Sequence, residues 1–310
     1  MRAHRVIRIY LWVLWAILFC LVGCQTQPTN FSISLSALKP LPDRPQGAVI
    51  PLRVSVAAVI SPQGTAESYQ LLLNYLSSKL DRPVELVQRR TYAETNDLVE
   101  SGFVDLAFVC TSAYIAGHDK FNMSLLVAPQ VDGQAVYYSY LIVPQNSQAM
   151  SIKDLGGTAF AFTDPMSNTG RAYPLHLIQQ LGTTPERFFA RTFYTYSHDD
   201  AIRAVADGLA DGASVDSLVY EFALERDPSL AQRVKVIHRS PPFGIPPVVV
   251  SPEIRPQLRA RLQEILLGMG ADPKGRIALE NLGIDGFVII DDGAYQSARE
   301  LIRKLEGDSP

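Results

Sequence analysis

KDLGGTAFAFTDPMSNTGRAYP, residues 153–174, holds a strand, a turn and a helix start in that order. TAFAFT is a short apolar run bounded by turn residues, the pattern of a buried strand. Asp164-Pro165 ends it, because proline brings no N–H to a ladder. Ser167, Asn168, Thr169 and Gly170 then open a helix, since serine is a favoured N-cap and glycine leaves the backbone exposed. The first amides of a helix point outward without partners, with the positive end of the helix dipole behind them. Two hydroxyls, an asparagine amide and a row of N–H groups on a helix start form a site for an oxyanion. Read alone, the same residues equally describe an ordinary capped helix behind a turn.

Working outward, the pattern repeats on both sides. LRVSVAAV from Leu52 reads as a strand, Ala66 to Leu80 as an amphipathic helix, VELVQ as a strand, Tyr92 to Glu100 as a helix and VDLAFV as a third strand. After YYSYLIVP a second set begins: TAFAFT, a helix from Asn168 to Leu181, another from His198 to Gly208, then strands GASV and VKVIHRS. The carboxyl-terminal part, from PPVVVSPEIRPQ onward, reads as a strand and helices that return to the first set. The expectation is an α/β protein of two lobes, with parallel sheets, right-handed crossovers and ligand at the carboxyl ends of the strands. The expected boundaries are 51–143 and 246–310 for one lobe and 144–245 for the other.

The chain has 310 residues, 47% of them apolar, enough for two cores of ordinary size. Arg2, Arg5 and Arg8 precede an apolar run from Ile9 to Val22, too short for a membrane span and laid out as a secretory signal over residues 1–23. Leu21-Val22-Gly23-Cys24 resembles a bacterial lipobox, in which cleavage leaves the cysteine as a lipidated N-terminus. Residues 24–50 are rich in Ser, Thr, Pro and Asn and read as a tether. With Cys20 lost and Cys24 lipidated, Cys110 has no partner, so no disulfide framework is expected. Without residues 1–23 the chain keeps 25 Lys and Arg against 31 Asp and Glu. That balance argues against nucleic acid, which is bound by basic surfaces.

Taken with TYSHDDAIRAVADGLADGASVDS (Thr195–Ser217) and VDLAFVCTSAYI, residues 153–174 resemble the phosphate-, phosphite- and phosphonate-binding proteins of ABC importers. The resemblance follows the order of elements from about Leu52 to Gly293. It implies a type II periplasmic binding protein, two α/β lobes joined by two crossing strands and closing over ligand by hinge motion. Carried over by position, Ser167, Asn168, Thr169 and Gly170 hold the oxyanion, and His198 donates a hydrogen bond or charge to it. Tyr114 matches a tyrosine of the first lobe, and one of Tyr137, Tyr138 and Tyr140, with Tyr138 preferred, lines the cleft where the chain crosses. Asp216 is read mainly as a helix cap. The chain departs from the family pattern at Asn168-Thr169, where Thr-Ser is common. Phe243 to Pro247 lacks the acid of aminophosphonate binders, so a small, simple anion is expected: phosphite, phosphate or a simple phosphonate. Cys110 stands where relatives have a small residue.

Cys110 either packs as a small apolar residue or faces the ligand with Thr111 and Ser112. An arsenite-sensing branch of the family, partnered by two-component kinases, carries a cysteine in its site, so a thiol-dependent sensor working with a histidine kinase is the alternative to an importer component delivering ligand to an ABC permease. Catalysis is not expected: Cys110 and His198 have no third orienting group, the other histidines lack metal spacing, and neither cofactor nor metal is implied. The resulting expectation is a monomeric, lipid-anchored binding protein on the outer face of a bacterial membrane.

Overall fold

The computed structural model describes residues 49–307. The expected signal, the lipobox at Cys24 and nearly all of the tether lie outside the described residues. No helix among the described residues is long and apolar enough to cross a membrane.

The first lobe is built on strands β1 (Leu52–Val56), β2 (Val84–Val87), β3 (Leu106–Phe108), β4 (Ser124–Gln130), β12 (Val248–Val250) and β13 (Gly286–Val288), in the order β13-β4-β12-β3-β1-β2. Helices α1 (Pro62–Leu80), α2 (Tyr92–Glu100) and α3 (Thr111–Phe121) each follow a strand of this sheet. The second lobe takes β6 (Ser139–Pro144), β7 (Ala159–Phe162), β8 (Arg191–Tyr194), β9 (Gly212–Asp216) and β10 (Val234–Arg239), in the order β10-β6-β9-β7-β8. After β7 comes a single π turn, Asn168–Ala172, that runs into α4 (Tyr173–Gln179). The short α5 (Pro185–Phe188) precedes β8, α6 (His198–Ala206) precedes β9, and α7 (Ser217–Arg226) follows it.

The central strands of both sheets are covered on two sides, which explains why β3, β12 and β7 are apolar runs without alternation. Leu52, Val54, Leu106 and Val250 pack with Leu72 and Leu76 of α1. In the second lobe Ile142, Ala161 and Val215 meet Ile202 and Val205 of α6, while Phe160 stacks on Phe189 at 4.6 Å on the opposite face. Local signals agree with this packing. Thr91 and Glu94 form a reciprocal capping box, so α2 begins at Tyr92, as the sequence predicts.

Two expectations are corrected. Parallel pairing holds for β2-β1-β3 and β8-β7-β9, but β12, β4 and β13 pair antiparallel, as do β6 and β10 with their neighbours. β6 and β12 are the first strands after each crossing and enter their sheets from the far side, which reverses their direction. For the same reason the boundary at residue 143 falls inside β6, a strand held between β9 and β10 in the second sheet. The crossing itself is a two-stranded antiparallel ribbon, β5 (Val136–Tyr137) with β11 (Phe243–Gly244).

The last helices, α8 (Pro256–Leu267), α9 (Pro273–Leu282) and α10 (Gln296–Gly307), follow β12. Gly244 of the ribbon lies so close to the turn before α10 that a Cβ there would sit 2.5 Å from the Ala294 carbonyl oxygen. Gly244→Ala is therefore expected to lower stability by about 1–3 kcal/mol through overpacking against backbone. Urea unfolding measures it, and an unchanged midpoint would contradict the packing of the ribbon.

Candidate functional site

The carboxyl ends of β3 and β7 bring Cys110 to Ser112 against the π turn opened by Ser167. Ser167 Oγ accepts the Gly170 N–H at 3.0 Å, the N-cap bond expected from the sequence. Behind the turn, the hydroxyls of Ser139 and Ser214 donate to the Thr169 carbonyl at 2.8 and 2.7 Å. Gly170 is pressed onto the end of β7, where a Cβ would lie 1.9 Å from Thr163 Oγ1. Only glycine allows that approach. Arg171, the cation of the turn, bonds outward to the Tyr194 hydroxyl and the Pro165 carbonyl.

The first lobe closes on this turn. Ser112 Oγ donates to Asn168 Oδ1 at 3.3 Å, and Asn168 Nδ2 donates to the Tyr137 hydroxyl at 3.2 Å. Asp164 reaches across to accept the Tyr92 N–H at 3.1 Å, so a carboxylate from one lobe caps the first turn of a helix in the other. Ser167, Asn168, Thr169, Thr111, Cys110 and His198 are all buried. The phenol of Tyr92 is buried, and its pKa is raised well above the ordinary value by that burial and by the charges of Cys110, Asp164, Asp216 and Tyr137. It has no hydrogen-bond partner, and neither has Thr169 Oγ1. A buried hydroxyl without a partner costs about 1–3 kcal/mol, so each of these groups is one that a bound acceptor would stabilise.

His198 begins α6, with its own N–H on the Val59 carbonyl of the first lobe at 2.8 Å. Its Nδ1 accepts the Asp216 N–H at 3.0 Å. The proton of a neutral ring is therefore on Nε2, which is left to donate. Burial pushes the ring pKa down to about 3, against the opposite pull of Asp199, so His198 offers a hydrogen bond and not the charge allowed by the sequence reading. Asp216 caps α7 as expected, accepting the Leu218 and Val219 N–H groups. Burial pushes its pKa up to about 7.

Not every expected residue is brought together. Thr111 donates to the Gly244 carbonyl at 2.8 Å and ties α3 to the ribbon. Tyr114 lies on another face of α3: its hydroxyl donates to Asp292 at 2.9 Å and its ring packs on Tyr295, away from the π turn. Tyr138 is half-buried under the Arg239 guanidinium, 3.5 Å from the ring centre. Strand alternation gives the inward position to Tyr137 instead. Cys110 Sγ faces the Asn168 N–H, and burial pushes the thiol pKa up to about 11. The thiol thus stays protonated, unlike an activated nucleophile or thiolate ligand. Tyr92 was missed, although its place at a helix start just beyond β2 is where such sheets bind ligand.

A fold of two α/β lobes around a cleft, with a polar turn from one lobe sealed against helix starts of the other, defines a solute-binding protein. The chain belongs to the family described as ABC transporter, phosphonate, periplasmic substrate-binding protein, whose model matches residues 54–295. It is therefore a binding component of an ABC transporter of the phosphonate family, placed on the periplasmic side, in a family of transport proteins and not of enzymes. It is similar to the phosphate-import protein PhnD of Mycolicibacterium smegmatis, with 27% identity over 214 residues, 64% of this chain and 67% of that protein. The binding protein of a Pseudomonas aeruginosa ABC phosphonate transporter superposes with a TM-score of 0.78 at 22% identity, covering 83% of this chain and 87% of that one. PhnD1 of Prochlorococcus marinus, solved with methylphosphonate, gives 0.74 at 19% identity, covering 82% and 98%. These structures bear on the fold, a type II periplasmic binding protein.

Protonation acts on His198 and Asp216 in opposite senses. The His198 pKa lies below its unfolded 6.5, at about 3, so the unfolded chain holds the extra proton and stability rises with pH across that window. The Asp216 pKa lies above 3.8, at about 7, so the folded chain holds the extra proton and this contribution is lost as pH rises through the window. Asp216→Asn keeps the cap acceptor and removes the second slope. Between about pH 4 and 7 the variant is expected to gain stability on the wild type, by at most about 1.4 kcal/mol per pH unit. Parallel curves of unfolding free energy against pH would contradict a buried, protonated Asp216.

Proposed function

We propose that the chain captures a phosphorus oxyanion, of the phosphate, phosphite or phosphonate kind, in the closed cleft and presents it to an ABC permease. The observation that carries this reading is the pair of buried, unpartnered hydroxyls of Tyr92 and Thr169, one from each lobe. Two further donors join them in this reading, the hydroxyl of Ser167, which accepts the Gly170 N–H, and the Nε2–H of His198, whose Nδ1 accepts the Asp216 N–H. A tetrahedral anion presents several acceptor oxygens in different directions, and neutral donors satisfy them without Arg171, whose guanidinium bonds Tyr194 and Pro165 instead. Such a site discriminates because a wrong anion leaves buried donors unpaired.

Because donors come from both lobes, binding favours the closed arrangement, and the ribbon β5–β11 is the part that bends. Closure is then the signal read by the permease. The relatives named above are described as importing phosphate or serving a phosphonate transporter, which supports the same ligand class. The thiol-dependent sensor has no comparable support: Cys110 is the sole cysteine among the described residues, and its thiol is held protonated. The lipid anchor at Cys24 and a monomeric state remain part of the proposal on the sequence reading alone.

Calorimetry on the purified protein with phosphate, phosphite and methylphosphonate is expected to show binding of at least one. Tyr92→Phe and Thr169→Val should each weaken it about 10- to 100-fold, the loss of a hydrogen bond to a charged group. Cys110→Ser should leave it within a few-fold. Absence of heat with all three anions, or abolition by Cys110→Ser alone, would overturn the reading.

A further inference from the structure

At the end of the first sheet away from the cleft, a groove of about 460 Å³ is lined by Leu80, Arg82, Arg255, Gln257, Leu258 and Arg261. Strand direction fixes its place. Arg82 stands just before β2, which runs parallel to β1, and Arg255 follows β12, whose last residue Val250 pairs with Leu106 at the start of β3. Both arginines therefore lie at the amino ends of β1, β2 and β3, whereas the proposed anion site lies at the carboxyl ends. Three of the six lining residues are arginine, and among the described residues no acid lines the groove.

Two of these arginines are short of partners. The side chain of Arg82 is only 14% exposed, its Nε is buried without a hydrogen bond, and its ion pair with Asp105 is stretched to 3.8 Å. The Asp105 oxygen in that pair already accepts the Arg53 N–H at 3.0 Å. Arg255 is exposed and makes no hydrogen bond or ion pair among the described residues. Only Arg261 is engaged, donating to Glu264 at 2.8 Å and to the Lys79 carbonyl at 3.4 Å. A guanidinium with spare N–H groups takes phosphate oxygens two at a time, and one drawn this far out of water gains most from an acceptor.

The chain enters the fold at the same end. Leu52, the first residue of β1, pairs with Val84 and donates its N–H to the Pro83 carbonyl at 2.8 Å, one residue from Arg82. Val49 and Ile50, just before it, are 58% and 66% exposed. Apolar side chains beside arginines suit a phospholipid surface, which meets carbon with its acyl boundary and guanidinium with its headgroups. An anchor at Cys24, as proposed, tethers the protein to a membrane through this end of the lobe. Beyond residue 23 the chain carries 25 Lys and Arg against 31 Asp and Glu, so its overall charge opposes an anionic surface and attraction has to come from a local basic site.

We infer that this groove docks the first lobe on anionic phospholipid, with lipid phosphates bound by Arg82, Arg255 and Arg261. Docked by this end, the cleft faces solution and stays open to ligand. The test is hydrogen exchange of the full-length protein on phosphatidylcholine vesicles made with and without phosphatidylglycerol. Amides of residues 79–83 and 255–261 are expected to exchange at least about threefold more slowly on the anionic vesicles. Replacing all three arginines, Arg82→Gln, Arg255→Gln and Arg261→Gln, should remove that difference. Arg255→Gln alone, at an exposed position, should shrink it and serves if the triple variant fails to fold. Equal exchange of the wild type on both vesicles overturns the inference. So does equal slowing by inorganic phosphate on the neutral vesicles, which would mark a site for free anion and not for a membrane.

Discussion

The site depends on where one carbonyl is sent. Ser139 from β6 and Ser214 from β9 hold the Thr169 carbonyl back onto the second sheet. Across a trans peptide the C=O and the next N–H point opposite ways, so the Gly170 N–H is turned to Ser167 Oγ at the front of the turn. The turn is thereby fixed with Asn168 against Ser112 of the other lobe. The contact of Gly170 with Thr163 seals the arrangement, because no side chain fits between them. A π turn, one residue wider than an α turn, is the backbone form that meets these constraints.

From that fixed turn the chemistry follows by solvation. Inside a closed cleft, charges are expensive and neutral donors are strong. His198 is accordingly held neutral and Cys110 as a thiol, while burial works to keep Asp216 protonated. The proposed anion site presents donors, whereas an adjoining cavity is lined by the acids Asp132, Asp216, Glu221, Glu225 and Asp285. Asp216 stands on the border between the two and couples them through its bond to His198.

The sequence shows what is local. The strand, turn and helix start of residues 153–174 were legible because Asp164-Pro165 and the Ser167 cap act within a few residues. The bounds of α2, Tyr92 to Glu100, were legible as well, and the structure shows a local Thr91–Glu94 capping box at its start. What depended on distant partners was not. Tyr137 and not Tyr138 faces the site because β5 pairs with β11, more than a hundred residues later. Tyr114 is drawn to Asp292, which itself bonds Arg299 of α10, and no periodicity in α3 signals that. Tyr92 reaches the interface between the lobes only when Asp164 of the other lobe closes over its helix. The antiparallel strands escaped notice because a strand's direction is set by which lobe the chain arrives from.

The most direct measurement is a crystal structure of the protein grown with methylphosphonate. The account predicts the phosphonyl oxygens within hydrogen-bond distance of Thr169 Oγ1, Tyr92 Oη and His198 Nε2, with the lobes closed as described. A phosphonate bound elsewhere, with Tyr92 and Thr169 still unpartnered, would contradict it.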